Sequence, residues 1–188
     1  MLTIHRVRAV RLVVDRPDCV RPDDEGHAIA VSGDRIVAIG PYEVLFAEYG
    51  EWARIREWDG VLTPGRHEPD GAALLEGAYH PDPREADELG SEPVTGPALA
   101  ALGMTDARWG AGARRGLQRL LAGGTTAITG PFTRPAVRTA VRRSGLREIP
   151  ERVPRALATG GAADFAVFAA DGSCLVTALA GRLVHRRR

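Results

Sequence analysis

The sequence predicts a mixed α+β protein, and three observations lead to that prediction. Strand-type patterns occupy both ends of the chain, within residues 2–65 and 164–185. Between them, residues 105–149 carry helix, strand and helix patterns in turn. The composition, with 44% hydrophobic and 26% charged residues, is typical of a folded globular protein.

The N-terminal segment, residues 1–65, is predicted to form short strands around a hairpin. Residues 2–14 alternate and then run apolar, which is typical of a strand or a strand pair. The turn Ser32-Gly33-Asp34-Arg35 predicts a hairpin, because glycine adopts the positive φ that a tight turn needs. The other predicted elements here are two hairpin strands, a short helix and two further strands, over 28–31, 35–39, 41–49, 55–58 and 61–65.

Residues 66–98 are predicted to be an extended proline-rich loop or a partly mobile insert. The segment carries prolines at 69, 81, 83, 93 and 97, many acidic residues and few large apolar ones. Such a composition gives little apolar surface to bury.

The segment 99–150 predicts a short αβα unit. Thr105 is an N-cap candidate for a helix that Gly123-Gly124 ends. A β-branched strand over 125–129 and a second helix over 134–144 follow, with a possible short strand over 146–149. The first helix has an apolar stripe at spacings of three and four, formed by Trp109, Ala113, Leu117, Leu120 and Leu121.

The C-terminal segment, residues 151–188, is again strand-like. Asp171-Gly172 is a hairpin signal between strands over 164–169 and 174–179, and a last strand covers 183–185.

Composition and charge exclude several classes of function. The net charge of +1 argues against a general nucleic-acid or anionic-membrane surface. No apolar run approaches ~20 residues and no signal peptide is present, so we expect a cytoplasmic protein without a membrane span. All 25 basic residues are arginine, which excludes lysine chemistry. Cys19 and Cys174 form no CxxC pair and are expected to be free thiols.

Two sets of polar residues are interpreted as structural rather than functional. Arg114, Arg115 and Arg119 lie on the polar face of the first predicted helix and are expected to be solvated. His5, His27 and His185 lie on or beside predicted strands and are expected to be surface or hydrogen-bonded residues.

Four segments together resemble the metal-dependent amidohydrolase superfamily, in its imidazolonepropionase-like and aminofutalosine-deaminase-like branch. These segments are GDRIVAIGP at 33–41, VLTPG at 61–65, ARRGLQRLLAGGTTAITG at 113–130, and GGAADFAVF with AGRLV at 160–168 and 180–184. In that family the two ends of the chain pair into a small β-sandwich beside a catalytic (β/α)8 barrel. The resemblance therefore implies a composite β-sandwich formed by both termini here.

The resemblance also implies an internally truncated member. A (β/α)8 barrel needs roughly 250 residues, whereas Gly65 and Ala158 are separated by far fewer. The short αβα unit would then be a remnant of the first barrel units.

The family's metal motif is absent from this sequence. In family members a His-x-His pair follows the Pro-Gly turn, because alternate residues of a strand point to the same side and bind one ion. The corresponding positions here are Asp70 and Ala72. No catalytic residue is therefore carried over from the family.

A rebuilt metal site is one hypothesis for the residues that follow the Pro-Gly turn. His67, Asp70 and His80 are the candidate ligands for zinc or iron, since zinc accepts imidazole and carboxylate groups. Glu68 and Asp82 are close to them in sequence. The alternative is that these are solvated loop residues, because their spacing matches no metal signature.

Two functions remain open at this point. The resemblance implies a hydrolase that acts on non-peptide carbon–nitrogen bonds, in which a metal ion activates water. The missing His-x-His pair favours a catalytically inactive member that binds a partner or a ligand instead. A second copy of the chain or a full-length enzyme of the same pathway is the expected partner.

Overall fold

The computed structural model describes residues 1–14, 23–151 and 153–187. Its contacts divide the chain into two compact units. The first unit comprises Met1–Arg66, Ala122–Thr126 and Val153–Arg188, and the second comprises His67–Leu121 and Ala127–Arg152. The four-segment organisation expected from the sequence stays a prediction.

Strands are found from one end of the described chain to the other. In chain order they are β1 (Leu2–Arg6), β2 (Ala9–Val10), β3 (Val13–Val14), β4 (Asp24–Glu25), β5 (His27–Ser32), β6 (Arg35–Pro41), β7 (Arg54–Glu57), β8 (Val61–Pro64), β9 (Arg66–Glu68), β10 (Ala78–Tyr79), β11 (Val94–Thr95), β12 (Thr125–Thr129), β13 (Arg147–Ile149), β14 (Arg155–Ala156), β15 (Phe165–Phe168), β16 (Cys174–Leu179) and β17 (Arg182–Arg186).

Helices are mostly short, and α5 is much the longest. In chain order they are α1 (Tyr42–Tyr49), α2 (Gly71–Glu76), α3 (Ala86–Leu89), α4 (Gly96–Ala101), α5 (Asp106–Ala122) and α6 (Pro135–Ser144), with a 3-10 turn over Pro83–Glu85 before α3. Within the described ranges, no helix has both the length and the apolar character needed to cross a membrane.

The first unit contains a four-stranded sheet of order β6-β5-β1-β7. The predicted hairpin is confirmed: β5 and β6 pair antiparallel, and Gly33 in the turn between them has a φ of 60°. β1 pairs antiparallel with β5 and parallel with β7, which is an edge strand. Helix α1 lies where the sequence predicts a short helix and buries Leu45.

A six-stranded sheet of the first unit joins the two ends of the chain. Its order is β17-β16-β15-β8-β2-β4. The pairing of β8 with β15 sets Pro64 opposite Phe165 and Val61 opposite Phe168. N-terminal and C-terminal strands therefore complete one another's hydrogen-bonding edges.

The two sheets of the first unit share a core of fully buried side chains. The four-stranded sheet contributes Ile29 and Ile36, and the six-stranded sheet contributes Leu62, Phe165 and Val176. Burial of a Leu, Ile or Phe side chain contributes about 1.5–3 kcal/mol each. This cluster is the main apolar core of the first unit.

The second unit confirms the predicted helix–strand–helix segment. Strand β12 has the predicted bounds, and β13 pairs with it in parallel, with Ala127 opposite Arg147. Helix α6 begins with Pro135 in its first turn and ends at Gly145, whose φ of 79° suits the left-handed cap. The mixed α+β class is confirmed.

The prediction of an extended loop over residues 66–98 is wrong. The segment contains short strands and helices and buries Leu75 and Tyr79. Pro83 and Pro97 do not break structure but occupy the first turns of the 3-10 turn and of α4, where a missing N–H costs nothing. Two large apolar residues suffice here because polar contacts supply the remaining order.

Helix α5 packs through a narrower face than its predicted stripe. Leu120 and Leu121 are half-buried, whereas Gly112 and Gly116 are buried. A Cβ atom on Gly112 would lie 2.8 Å from Cδ2 of Tyr79, so the Tyr79 side chain packs directly against the backbone of the helix. Glycine is required at this close approach.

Candidate functional site

The strand ends of the second unit are the natural place to look for a site, because α/β proteins bind ligands beyond the carboxyl ends of parallel strands. β12 and β13 are parallel, and β9 is their neighbour in the order β13-β12-β9. β9 runs the same way, since the N–H of Arg66 donates to the carbonyl of Gly124 before β12, and Gly71 lies against Thr129 at its end.

His67 lies on β9 and its imidazole reaches the end of β12. Its Nε2 atom is 2.8 Å from Oγ1 of Thr129, and both side chains are half-buried. Either atom can donate in this hydrogen bond, because a hydroxyl both donates and accepts. The contact links two neighbouring strands at their carboxyl ends.

Asp70 is exposed in the turn after β9, and its own N–H donates to Oε1 of Glu68 at 2.9 Å. The chain then enters α2, so Ala72 lies in a helix rather than on a strand. Gly71 permits this entry, since a Cβ there would lie 2.5 Å from the carbonyl oxygen of Thr129. The two positions that correspond to the family's His-x-His pair therefore do not share one side of a strand.

His80 lies in a different environment, beneath helix α5. It is 2% exposed, and its Nε2 atom is 3.1 Å from the carbonyl oxygen of Leu74, to which it donates. Burial lowers the pKa of this imidazole, and the charges of Arg119 and Arg115 lower it further against the opposing hydrogen bond. The ring is therefore neutral near pH 7.

The three candidate ligands do not fit a metal centre. His67 bonds Thr129, His80 bonds Leu74, and Asp70 is exposed in its turn. Over residues 1–14, 23–151 and 153–187, no three His, Cys, Asp or Glu side chains group so as to hold a metal ion. Zinc sites in proteins use at least three such ligands.

A polar network that the sequence did not reveal surrounds Tyr79. The Tyr79 hydroxyl donates to Oε2 of Glu85 at 2.6 Å and accepts from Nη2 of Arg115 at 3.0 Å. Arg108 donates to Oε1 of Glu85 at 3.1 Å, and Arg115 donates through Nε to the carbonyl oxygen of His80 at 2.7 Å. We call these side chains the Tyr79 network.

The Tyr79 network holds Glu85 as a carboxylate. The pKa of Glu85 is lowered to about 2. The hydrogen bond from Tyr79 is the largest cause, and the hydrogen bonds from the N–H of Asp82 and the guanidinium of Arg108 also lower it. Asp82 and Glu85 form a capping box around the 3-10 turn. This Asp-x-x-Glu spacing is the sequence signal from which the turn could have been found.

The expectation that the arginines of α5 are solvated is wrong for Arg115, which is half-buried in the Tyr79 network. Arg119 also has a partner, because its guanidinium donates to the carbonyl oxygen of Ser91. Arg114 is exposed as predicted. Sequence periodicity assigned the polar face of α5 correctly but could not show which chain segment covers it.

Two further carboxylates lie against the backbone near the strand ends. Glu76 accepts hydrogen bonds from the N–H groups of Thr133 and Arg134, at 3.1 and 2.7 Å, where α6 begins. Partial burial acts to raise the pKa of Glu76, but these bonds outweigh it and the pKa is lowered. The Glu148 carboxylate lies against Gly130, where a Cβ would be 2.1 Å from its Oε1.

The predictions for Cys174 and His5 are confirmed. Cys174 is a buried free thiol, as predicted, and burial raises its pKa. Cys19 lies outside the described residues. His5 is hydrogen-bonded as predicted, since Nε1 of Trp58 donates to its Nδ1 at 3.2 Å.

Solved structures share the fold of most of this chain. An adenosine deaminase from Xanthomonas campestris with bound zinc matches 78% of this chain and 33% of its own, with a TM-score of 0.52 and 20% identity. E. coli guanine deaminase matches 79% and 36%, with a TM-score of 0.53 and 14% identity. A. niger ochratoxinase matches 78% and 29%, with a TM-score of 0.50 and 16% identity.

These similarities establish a fold shared with amidohydrolase-family deaminases and hydrolases. The chain spans about a third of the length of the structures it matches. No protein-family model matches the sequence. No curated protein matches it either.

Proposed function

We propose that this chain is an amidohydrolase-like protein without metal-dependent hydrolysis of its own, and that it acts by binding a protein partner or ligand. The observation that carries the proposal is the separation of His67 and His80 into different hydrogen-bonded environments. Hydrolysis of a carbon–nitrogen bond in this fold would need a metal ion to activate water, and the described residues do not supply its ligands.

The finer assignment to an imidazolonepropionase-like or aminofutalosine-deaminase-like branch is part of the proposal. It rests on the order of the segments 33–41, 61–65, 113–130, 160–168 and 180–184. The pairing of β8 with β15 supports the composite β-sandwich that this assignment implies, because both ends of the chain contribute to one sheet. The truncated barrel is likewise proposed.

The test is the metal content of protein purified without chelators or a histidine tag, measured by plasma mass spectrometry. We expect zinc and iron well below one ion per chain. Near-stoichiometric metal that is lost in both His67→Ala and His80→Ala, but retained in His185→Ala, would contradict the proposal. It would favour the alternative, a hydrolase acting on non-peptide carbon–nitrogen bonds.

A second copy of this chain is the partner we propose. Three apolar side chains in or near α1 are well exposed: Val44 at 57%, Phe46 at 46% and Trp52 at 70%. Exposed apolar surface is a candidate for an association site. Light scattering at high concentration is expected to show a dimer. Phe46→Ser is expected to weaken the dimer, whereas the control Val184→Ser, at an exposed residue elsewhere, is expected to leave it unchanged. A monomer at all concentrations would contradict self-association.

A further inference from the structure

Two arginines of β7 extend toward the shared core of the first unit. Arg54 and Arg56 are two residues apart, so their side chains leave the same side of the four-stranded sheet. In the parallel register Arg56 lies beside His5. The His5 ring meets Phe165 of the other sheet edge-on, with 4.9 Å between centroids. Both arginines are therefore on the side of their sheet that faces the six-stranded sheet.

A third arginine approaches from the six-stranded sheet. A register shift between Thr177 and Ala178 places Arg186 of β17 opposite Val176, which is a core residue. Its guanidinium carbon lies 5.2 Å from the ring centroid of Trp58, the residue that follows β7. Since β7 and β17 are edge strands of their sheets, the three arginines occupy one edge of the first unit. We call Arg54, Arg56 and Arg186 the arginine cluster.

The arginine cluster contains a buried hydrogen-bond donor without an acceptor. The Nε atom of Arg56 is buried and has no hydrogen-bond partner among the described residues. Burial lowers the pKa of Arg56, and the like charges of Arg54 and Arg186 lower it further. A buried donor without an acceptor is destabilising, and more so when it is charged.

The carboxylates next in sequence do not neutralise the cluster. Glu57 accepts a hydrogen bond from Arg6 at 2.9 Å, and Asp59 pairs with Arg8 at 3.4 Å. Glu57 and Asp59 therefore pair with arginines outside the cluster. No ion pair to any member of the arginine cluster occurs in the described part of the chain.

We propose that the arginine cluster and Trp58 form a binding site for a phosphate-bearing small molecule. A phosphate dianion offers several acceptor oxygens and two negative charges, which suits forked guanidinium donors better than a single carboxylate does. Its binding would offset the repulsion among three cations. The indole of Trp58 adds an apolar surface beside the charge. This site lies in the first unit and does not depend on the proposed function.

The test uses the full chain, with inorganic phosphate, AMP and adenosine as probes. Phosphate and AMP are expected to raise the Tm above that in sodium chloride of the same ionic strength, and adenosine is not. Calorimetric titration is expected to show at least tenfold weaker phosphate binding in Arg56→Met and in Arg186→Gln. The matched control is Arg138→Gln, which removes one exposed charge from α6 and is expected to bind phosphate normally.

A second readout separates binding from folding. In phosphate-free buffer Arg56→Met is expected to unfold at the same Tm as the parent chain or higher, because it removes a half-buried charge that Arg54 and Arg186 repel. If Arg56→Met does not fold, the exposed Arg186→Gln variant tests binding alone. Three results would overturn the proposal: no phosphate effect beyond that of sodium chloride, equal loss of binding in Arg138→Gln, or adenosine binding as tightly as AMP.

Discussion

The two units of this protein differ in the polar contacts that accompany their apolar cores. The first unit has a core of fully buried aliphatic and aromatic side chains from two sheets, centred on Phe165 and Leu62. The second unit also buries apolar side chains, among them Leu75, Leu117, Ile128 and Val137. It adds to them the Tyr79 network and the close approach of its chain to the backbone of α5.

Apolar cores and polar networks differ in how clearly a single sequence reveals them. An apolar core leaves a periodic pattern along each strand, because alternate residues face it. A polar network leaves no periodic pattern, because its members are distant in sequence: Glu85 and Arg108 belong to segments that meet only when the chain has folded.

The largest expected effect is in the core of the first unit. Phe165→Ala should lower the free energy of unfolding by about 3–5 kcal/mol, because it removes a fully buried aromatic side chain. The control is Phe46→Ala, where the ring is 46% exposed and the expected loss is below about 1 kcal/mol. Urea unfolding followed by circular dichroism measures both, and equal losses would show that the described core does not stabilise this unit.

Helix α5 offers a matched pair of glycines in the second unit. Gly116→Ala should cost about 1–3 kcal/mol by overpacking, since its Cβ would lie 2.7 Å from Nε2 of the buried His80. Gly110→Ala should instead stabilise by up to about 1 kcal/mol, because its Cβ meets atoms no closer than 3.5 Å and alanine favours helix. Urea unfolding of both variants is the measurement. Stabilisation by both would mean that the close approach does not constrain the helix.

Acid should destabilise both units, because each holds a buried imidazole whose pKa is lowered, His5 in the first unit and His80 in the second. Burial, followed by the charge of Arg56, lowers the pKa of His5 to about 3. His5 is therefore protonated near pH 6.5 in the unfolded chain but only near pH 3 in the folded first unit. The free energy of unfolding falls as pH drops from 6.5 toward 3. The slope from one such group is at most about 1.4 kcal/mol per pH unit.

Glu85 in the second unit behaves in the same direction but lower on the pH scale. Its pKa, about 2 when folded against 4.5 normally, is depressed by Tyr79 and its neighbours, so its contribution is present above pH 4.5 and lost as pH falls toward 2. Hydrogen exchange resolved by peptide from pH 7 to 4 should show both units losing protection. His5→Gln should remove the loss in the first unit and leave that in the second, and an unchanged pH profile of the first unit would contradict this origin.

The smallest expected effect concerns one hydroxyl group. Tyr79→Phe removes the donor to Glu85 and the acceptor for Arg115, which should cost about 1 kcal/mol. Tyr42→Phe is the control, since the ring contact with Arg6 at 4.5 Å survives the change. Thermal unfolding monitors both, and equal stability of the two variants would show that the Tyr79 network contributes little.

The elements that the sequence predicted best are those with a strong periodic or turn signal. The hairpin around Gly33 and the strand β12 lie where the pattern placed them. Residues 66–98 were misassigned because prolines and acidic residues suggested a loop, although Pro83 begins a capped turn. Composition reports how much apolar surface is available, and it does not report which polar groups pair.

Of the candidate site, sequence reasoning identified individual residues but not their surroundings. The lack of a His-x-His pair was readable directly, and His67 was noted as a neighbour of the Pro-Gly turn. Its contact with Thr129 was not predictable, because 62 positions separate the two residues along the chain. The buried location of His80 likewise depends on the glycine face of α5, which a hydrophobic stripe does not record.

The pairing of β8 with β15 has a consequence for synthesis on the ribosome. Pro64 pairs with Phe165, which is synthesised about 100 residues later. At a translation rate of about 5–20 residues per second, the delay is ~5–20 s. Throughout that interval the edge of β8 has no partner and the apolar side of the nascent sheet is uncovered. A chaperone that recognises unpaired strands is therefore expected to engage the growing chain and to release it once β15 and β16 have emerged.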